Sequence, residues 1–274
     1  MRASYYPGCS LHGTAKEYDL STRLVCKELG VDLEELPDWS CCGASSGHSI
    51  NENVSEILSC RNIAIADKKG LDLITPCAAC FNRLKAGEKI LREDGKKRQD
   101  LEKRLDFKFK GEFKIYHLLD YIINAVTIKK VKDRVVNPLT RLKVACYYGC
   151  LINRPNKVTQ CDYKESPVEL DALMEAIGCS VSEWSHKNEC CGASLSLIRP
   201  GIVNNLVDKL ISTAKRSGAD VIVTACPLCQ ANLEMRQSQG FGVLNFTELL
   251  GVAFAIKEID ECLNKHLIAN TLPL

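Results

Sequence analysis

Several signatures of common protein classes are missing from the sequence. It contains neither the G-x-G-x-x-G fingerprint of dinucleotide-binding folds nor the C-x2-C-x2-C-x3-C-P run of ferredoxins. The start, MRASYYPGCS, lacks the apolar core of a signal peptide, and no uninterrupted apolar stretch is long enough to cross a bilayer. The net charge is only +2, so bulk charge favours neither nucleic acid nor a membrane surface as a partner. These absences predict a cytoplasmic chain without a membrane span.

Cysteine, in contrast, is abundant, with 16 among 274 residues. In a short secreted chain this number would indicate a framework of disulfides. Here the chain is long, has only 9 Pro and 17 Gly, and shows no secretion signal. In a reducing compartment many cysteines indicate metal binding or redox chemistry more often than disulfides.

Ten of the cysteines form an internal repeat. The first half reads YYPGC, CCGAS and ITPCAAC, and the second reads YYGC, CCGAS and VTACPLC. In both halves 34 residues separate the cysteine pair from the C-x-x-C motif. From the first cysteine to the pair there are 31 residues in one half and 39 in the other, which places an eight-residue insertion near residues 151–167. The repeated cysteines are Cys9, Cys41, Cys42, Cys77 and Cys80, and then Cys150, Cys190, Cys191, Cys226 and Cys229.

Each half is predicted to alternate strands and helices, which is typical of an α/β fold with small parallel sheets flanked by helices. The predicted strands are RASYYP, VDLEELP, LDLITP and FKIYH in the first half, and KVACYY, CSVSEW, DVIVTA and GVLNF in the second. The predicted domains are residues 1–130 and 131–274. Before its last strand the first half has an extra charged run, LREDGKKRQDLEKRLDF, which predicts a solvated helix or hairpin.

The positions of the cysteines relative to the strands predict two metal centres. In each half the first cysteine, the pair and the C-x-x-C motif follow predicted strands, and the carboxyl ends of parallel strands meet at one edge of a sheet. Four thiolates already complete a zinc site or a cubane cluster. Five thiolates, with two adjacent ones whose side chains diverge, favour a cluster of several irons, although the spacing alone does not give its geometry. The alternative is one iron–sulfur cluster and one structural zinc.

The pattern C-x31-CCG-x34-CxxC followed by C-x39-CCG-x34-CxxC resembles the duplicated CCG domain found in the B subunits of heterodisulfide reductases, over nearly the whole chain. Similar domains occur in thiol-driven fumarate reductases, in some succinate dehydrogenases, and in glycolate and lactate oxidation complexes. The resemblance implies two Rossmann-like CCG domains related by a pseudo-twofold axis. It also implies a noncubane [4Fe-4S] cluster on each set of five cysteines. The implied reaction is reduction of the mixed disulfide of coenzyme M and coenzyme B to two thiols, with the disulfide held between the clusters.

The resemblance further implies partners, because this chain has no ferredoxin motif to receive electrons. The implied partners are the C subunit of heterodisulfide reductase, with cubane clusters, and its A subunit, with flavin and further clusters. A larger assembly with a hydrogenase or a formate dehydrogenase is also implied. The alternative function is CCG-type electron transfer within a complex that reduces a quinone or another acceptor.

Basic residues near the cysteine motifs are candidates to bind an anionic substrate. The candidates are His48, Arg199 and Lys187, and His48 is also the candidate proton donor because imidazole titrates near neutrality. His12, Arg154 and His186 lie near the same motifs, whereas His117 is predicted to be structural. The remaining cysteines are predicted to be structural as well: Cys26, Cys60, Cys146, Cys161, Cys179 and Cys262.

Overall fold

The computed structural model describes residues 1–44, 51–160 and 165–269. Strands and helices alternate in two halves, and each half builds one four-stranded parallel sheet. The first half contains β1 (Arg2–Tyr5), α1 (Gly8–His12), α2 (Lys16–Glu28), β2 (Asp32–Glu35), α3 (Glu52–Lys69), β3 (Leu73–Thr75), α4 (Ala78–Glu93), α5 (Gly95–Leu105), β4 (Ile115–His117), α6 (Leu118–Tyr121), a π-helical stretch (Ile122–Thr127) and α7 (Ile128–Arg134). The second half contains β5 (Lys143–Tyr147), α8 (Asn156–Thr159), α9 (Glu169–Ala176), β6 (Ser180–Val181), a 3-10 turn (Ala193–Leu195), α10 (Pro200–Arg216), β7 (Val221–Thr224), α11 (Pro227–Arg236), β8 (Val243–Asn245), α12 (Phe246–Ala253) and α13 (Ile259–Leu263).

The two sheets have the same topology. Their strand orders are β2-β1-β3-β4 and β6-β5-β7-β8, and all six strand pairs are parallel. Strands β3 and β7 are buried at every position, because helices cover both faces of a parallel sheet. The predicted fold class is confirmed, and every predicted strand is present within the predicted segment.

The predicted surface helix is also present, as α5. Asp94 caps its first turn by accepting hydrogen bonds from the N–H groups of Lys96 and Lys97. Leu101 is its one buried residue, which agrees with a helix that lies on the surface of the first half. The predicted domain boundary stays a prediction, and α7 (Ile128–Arg134) runs across residue 130.

The two halves pack reciprocally. Helix α2 of the first half packs against α12 of the second, and α9 of the second half packs against α6 and α7 of the first. Between α2 and α12 the hydroxyls of Ser21 and Thr247 form a buried 2.7 Å hydrogen bond, and the Tyr18 ring meets the Phe246 ring edge-on. Reciprocal packing of equivalent helices is what a pseudo-twofold axis between the halves requires.

The cysteines outside the repeat are buried where the structure describes them. Cys26, Cys60, Cys146, Cys179 and Cys262 are each at most 5% exposed, which confirms their predicted role in the core. Cys161 lies outside the described residues. Within those residues, no helix combines the length and the apolar composition needed to span a bilayer.

Candidate metal centres

In the first half, three loops and helix ends bring the five cysteines together. Cys9 lies in α1, four residues after β1 ends, and Cys77 is the N-cap residue of α4, in which Cys80 occupies the first turn. The adjacent pair, Cys41 and Cys42, lies in the loop after β2. All five therefore follow the carboxyl ends of neighbouring strands, as the sequence predicts.

The sulfurs of the first half contact one another in a chain. The two side chains of the adjacent pair bond with each other, and each also has a further partner: Cys41 bonds with Cys9, and the sulfur of Cys42 lies 3.4 Å from that of Cys80. Cys80 in turn bonds with Cys77. Adjacent cysteines that reach different neighbours are suited to ligate different irons, which supports the expectation drawn from their spacing.

The second half repeats this arrangement. Cys190 bonds with Cys150, and the sulfur of Cys191 lies 3.7 Å from that of Cys229, which bonds with Cys226. Cys190, like Cys9, is exposed, whereas Cys191, Cys226 and Cys229 are buried. The outer cysteines thus face solvent, and the C-x-x-C motif lies inside.

The two sets of cysteines meet at the boundary between the halves. The side chain of Cys77 bonds with that of Cys226, and Cys226 also accepts a hydrogen bond from the N–H of Ala78, in the first turn of α4. Helix N-termini stabilise thiolates, so each half contributes to the environment of the other half's site. The two candidate centres are therefore adjacent across the pseudo-twofold axis.

The glycine after each cysteine pair has a backbone conformation that other residues rarely adopt. Gly43 and Gly192 have φ values of +78° and +79°, and their N–H groups donate to the sulfurs of Cys41 and Cys190 at 3.4 and 3.3 Å. A Cβ atom on Gly43 would lie 2.9 Å from the Cα of Ser55 in α3. The positive φ and the close approach of α3 both favour glycine at this position.

Sequence reasoning missed two other supports that recur in both halves. Gly8 and Gly149 precede the first cysteines with φ values of +74° and +68°, and a Cβ atom on them would lie 2.8 Å from the Cys80 sulfur and 2.9 Å from the Cys229 sulfur. The hydroxyls of Tyr6 and Tyr147 donate to the carbonyl groups just before the cysteine pairs, at 2.8 and 2.7 Å. The signal was available, because both residue types recur shortly before the first cysteine of each half.

The mutual bonds among the sulfurs shift their pKa values in opposite directions. The bond from Cys150 lowers the pKa of the Cys190 thiol to about 6 and raises that of Cys150 well above its usual range. In the first half, bonds from Cys42 and Cys9 lower the pKa of Cys41, while the bond to Cys41 and then burial raise that of Cys9. In each set the shared hydrogen bonds therefore favour the thiolate on some sulfurs and the thiol on others, and metal binding displaces the protons of the thiols.

The donor set fits iron–sulfur chemistry. Among the described residues, no three His, Cys, Asp or Glu side chains are arranged to hold a single metal ion. The sulfurs instead make pairwise contacts, and a cluster of several irons takes its ligands on different irons rather than around one point. All ten donors are cysteine sulfurs, the ligands that iron–sulfur clusters use. The cysteines would hold such clusters, and Gly8 and Gly149 keep the approach to the inner sulfurs open.

Two of the other three predicted site residues lie in the part of the chain that the structure describes. Arg199 is exposed and is the N-cap residue of α10, seven positions beyond Gly192. The ammonium of Lys187 is half-buried and pairs with Asp171. His48 lies outside the described residues.

The further basic residues near the motifs have their own partners. His12 pairs with Glu35, Arg154 pairs with Glu165, and His186 bonds with Ser185. His117 is fully buried with its Nε2 atom 3.1 Å from the carbonyl oxygen of Pro76, and burial lowers its pKa to about 4. It is therefore neutral and structural, as predicted.

Comparison with known proteins identifies relatives of nearly the same length. The membrane anchor subunit of the 8-methylmenaquinol:fumarate reductase of Wolinella succinogenes is 28% identical over 278 residues, which cover 98% of this chain and 97% of that protein. The B subunit of the ferredoxin/F(420)H(2)-dependent CoB-CoM heterodisulfide reductase of Methanosarcina acetivorans is 27% identical over 285 residues, covering 98% and 94%. A protein of Archaeoglobus profundus, named as similar to the B subunit of heterodisulfide reductase, is 28% identical over 258 residues, covering 90% and 86%.

Structural comparison and a family match agree on the fold and the repeat. A crystal structure of a hypothetical protein from Helicobacter pylori superposes with a TM-score of 0.77 at 14% identity, covering 98% of this chain and 52% of that one, and this likeness concerns the fold alone. The CCG cysteine-rich domain family matches residues 3–85 and 144–234, the two segments that carry the ten repeated cysteines. The chain therefore belongs to the CCG cysteine-rich domain family and contains its domain twice.

Proposed function

We propose that the chain is the catalytic iron–sulfur subunit of a CoB-CoM heterodisulfide reductase, which reduces the mixed disulfide of coenzyme M and coenzyme B to two thiols. One observation carries the proposal: Cys77 and Cys226, one from each set of five cysteines, are in contact across the two halves. Two adjacent redox centres suit a reaction that needs two electrons at one bond. The names of the relatives from Methanosarcina acetivorans and Archaeoglobus profundus support the same function.

The reaction breaks one S–S bond, takes up two electrons and two protons, and forms two S–H bonds. When bound, two noncubane [4Fe-4S] clusters would each supply one electron. The chain itself would hold the two centres adjacent, through the contact of Cys77 with Cys226, and would exclude water from the buried inner cysteines. His48 and Arg199 remain proposed as proton donor and substrate contact. Lys187 remains a proposed contact too, although its pairing with Asp171 would first have to open.

The proposed partners are the A subunit of the reductase, with flavin and iron–sulfur clusters, and its C subunit, with cubane clusters, in the cytoplasm. In vitro an artificial reductant can replace the hydrogenase or formate dehydrogenase that would supply the electrons. Cluster-loaded protein should release two thiols from the mixed disulfide with reduced viologen as electron donor. A complex with intact clusters that releases no thiol contradicts the proposed reaction.

Metal content tests the centres separately from the activity. We expect about eight irons and a similar amount of acid-labile sulfide per chain if each half holds a four-iron cluster. The variant Cys191→Ser should lose the electron paramagnetic resonance signal of one cluster. Cys179→Ser is the matched control, because Cys179 is buried in the same half and lies outside the repeat. Zinc without iron, or both signals unchanged in Cys191→Ser, contradicts the ligand assignment.

A second function, electron transfer to a quinone, is favoured by an apolar surface after the second cysteine pair. Leu195, Leu197, Ile198 and Ile202 are 38%, 93%, 72% and 52% exposed. The name of the Wolinella succinogenes relative includes a quinol as a substrate. Under this function the cluster-loaded protein should reduce a menaquinone analogue. If Leu197→Ser weakens this reduction while viologen oxidation stays unchanged, the result would support this function over the first.

A further inference from the structure

One site occurs in both halves, formed by residues at equivalent positions. These residues lie on the helix that contains the end of the C-x-x-C motif and on the helix that follows the last strand. Lys85 and Glu234 each lie five residues after the last cysteine of their motif. Asp120 and Glu248 are each the third residue after the N-cap of α6 and of α12, and both helices follow strands with matching register. The two sites differ in the residues at these positions, with Lys85 where the second half has Glu234, and in what fills them.

In the second half the chain fills this site itself. The segment after α13 inserts the imidazole of His266, whose side chain is 1% exposed. Its Nδ1 atom lies 3.2 Å from a carboxylate oxygen of Glu234, and its Nε2 atom lies 3.0 Å from one of Glu248. The N–H of Ile268 also donates to Glu234, at 3.2 Å. A basic side chain and the backbone beside it thus occupy the site together.

In the first half the same place is a cavity of about 560 Å³. Lys85 and Asp120 line it, together with Phe81, and the second half closes it with residues that include Tyr148 and Glu169. The segment that follows α7 continues into the linker to β5, so no described segment of the first half takes the place that the segment after α13 has in the second. The volume is sufficient for one large side chain and parts of its neighbours.

The charges around the cavity favour a cation. Lys85 is paired with Glu88, another lining residue, at 2.5 Å. Of the charged groups that line the cavity, this leaves two acidic ones, Asp120 and Glu169, and one basic one, Lys114, without an ion pair among the described residues. Burial and the nearby Glu169 raise the pKa of Asp120 to about 7, which is the behaviour of a carboxyl group without a counter-ion. The other titratable groups that line the cavity are Lys114, Tyr116 and Tyr148.

We propose that this cavity binds a basic side chain on a polypeptide segment of a partner protein, as its counterpart in the second half binds His266. Asp120 takes the place of Glu248 and pairs with the incoming cation, Glu169 adds a second negative charge, and the rings of Phe81 and Tyr116 contact its apolar stem. The proposal does not depend on the reaction at the cysteines.

The test uses the full-length, cluster-loaded protein and a peptide probe. The probe is the acetylated and amidated heptapeptide of residues 263–269 with arginine in place of its histidine, LNKRLIA, and its control is LNKALIA. At pH 8 the guanidinium keeps its charge, and most of Asp120 is ionised. Isothermal titration should show that LNKRLIA binds about ten times more tightly than LNKALIA, the value of one partly buried charged hydrogen bond.

Variants assign that binding to the cavity. Asp120→Asn should abolish the preference for LNKRLIA, and Asp133→Asn, an exposed carboxylate on α7, should leave it unchanged. Lys85→Glu copies Glu234 and should tighten the binding. Equal binding of both peptides overturns the proposal. So does a preference for LNKRLIA that survives in Asp120→Asn but is lost in Glu248→Gln, because the peptide would then be replacing the chain's own tail at His266.

Discussion

At the scale of single residues, the candidate centres depend on glycines as much as on cysteines. Gly8 and Gly149 adopt a left-handed conformation immediately before the first cysteine of each half, in contact with an inner sulfur. A side chain there would strain the backbone and press on a ligand at the same time.

We therefore expect Gly149→Ala to lose the cluster of the second half. The φ value of +68° disfavours alanine, and its Cβ would lie 2.9 Å from the sulfur of Cys229, so the loop must move. The free energy of unfolding should fall by about 1–3 kcal/mol. Iron content and thermal unfolding measure the two effects. Gly201→Ala is the control, since no atom lies within 4 Å of a Cβ built at that helical position. Full iron content in Gly149→Ala would contradict this account.

At the scale of elements, the halves are joined by helices that pack on the opposite half. The hydroxyls of Ser21 and Thr247 are fully buried between α2 and α12. A buried hydroxyl that loses its partner costs more than the hydrogen bond gained by folding, because it was hydrated in the unfolded chain.

Removal of either hydroxyl should loosen this contact. Ser21→Ala is expected to lower the free energy of unfolding by about 1–2 kcal/mol. Thr247→Val should lower it by less, because the Ser21 hydroxyl keeps its 3.2 Å hydrogen bond to the carbonyl oxygen of Tyr18. In the double variant no partner is left unpaired, so its cost should be smaller than the sum of the single costs. Urea unfolding of the four proteins gives the coupling. Strict additivity would show that the two hydroxyls do not interact.

The segment after α13 is held by a charge that depends on pH. Burial opposes protonation of His266, but the hydrogen bonds that the ring donates to Glu234 and Glu248 outweigh it and raise its pKa from the ordinary value of 6.5 to about 10. The stabilisation from the protonated ring is complete below the ordinary value and is lost as the pH rises through 10. The free energy of unfolding should fall between pH 6.5 and 10 by on the order of a few kcal/mol.

The variant His266→Gln isolates this effect from the titration of the cysteines. It should be less stable than the parent at pH 6.5, and the difference should shrink towards pH 10. Chemical denaturation at several pH values measures the difference. A difference that is constant with pH would mean that the ring is held without its charge.

How far the sequence predicts this molecule also depends on the scale. The strands, the surface helix and the positions of the ten cysteines follow from periodicity and repetition, because these signals are local or repeat at fixed spacing. The contact of Cys77 with Cys226 does not, since it depends on how the two halves pack. The pairing of Lys187 with Asp171 is hidden for the same reason: sixteen positions separate them, and only the fold makes them neighbours.

At the scale of the whole molecule, the halves are complementary rather than independent. Helices of each half pack against the other half. Asn82 of the first half also donates hydrogen bonds to the carbonyl oxygens of Leu151 and Arg154 of the second. A half on its own would expose these apolar and polar surfaces to water.

If the chain is cut in the linker, each fragment should consequently require the other in order to fold. Fragments 1–137 and 138–274 are expected to aggregate when expressed singly and to form a soluble one-to-one complex when expressed together. Size-exclusion chromatography distinguishes the outcomes. A soluble, monomeric fragment 1–137 with a cooperative unfolding transition would show that the first half is autonomous.

The burial of Cys77 and Cys226, at 1% and 3% exposure between the halves, bears on the biogenesis of the protein. We therefore expect iron and sulfide to reach these two thiols before the halves close on each other, so that maturation precedes closure. Refolding from denaturant in the presence of iron and sulfide should then load both centres, whereas the same reagents added to already folded, iron-free protein should not. The order of events during synthesis, and not only the ligands, would decide whether a chain becomes active.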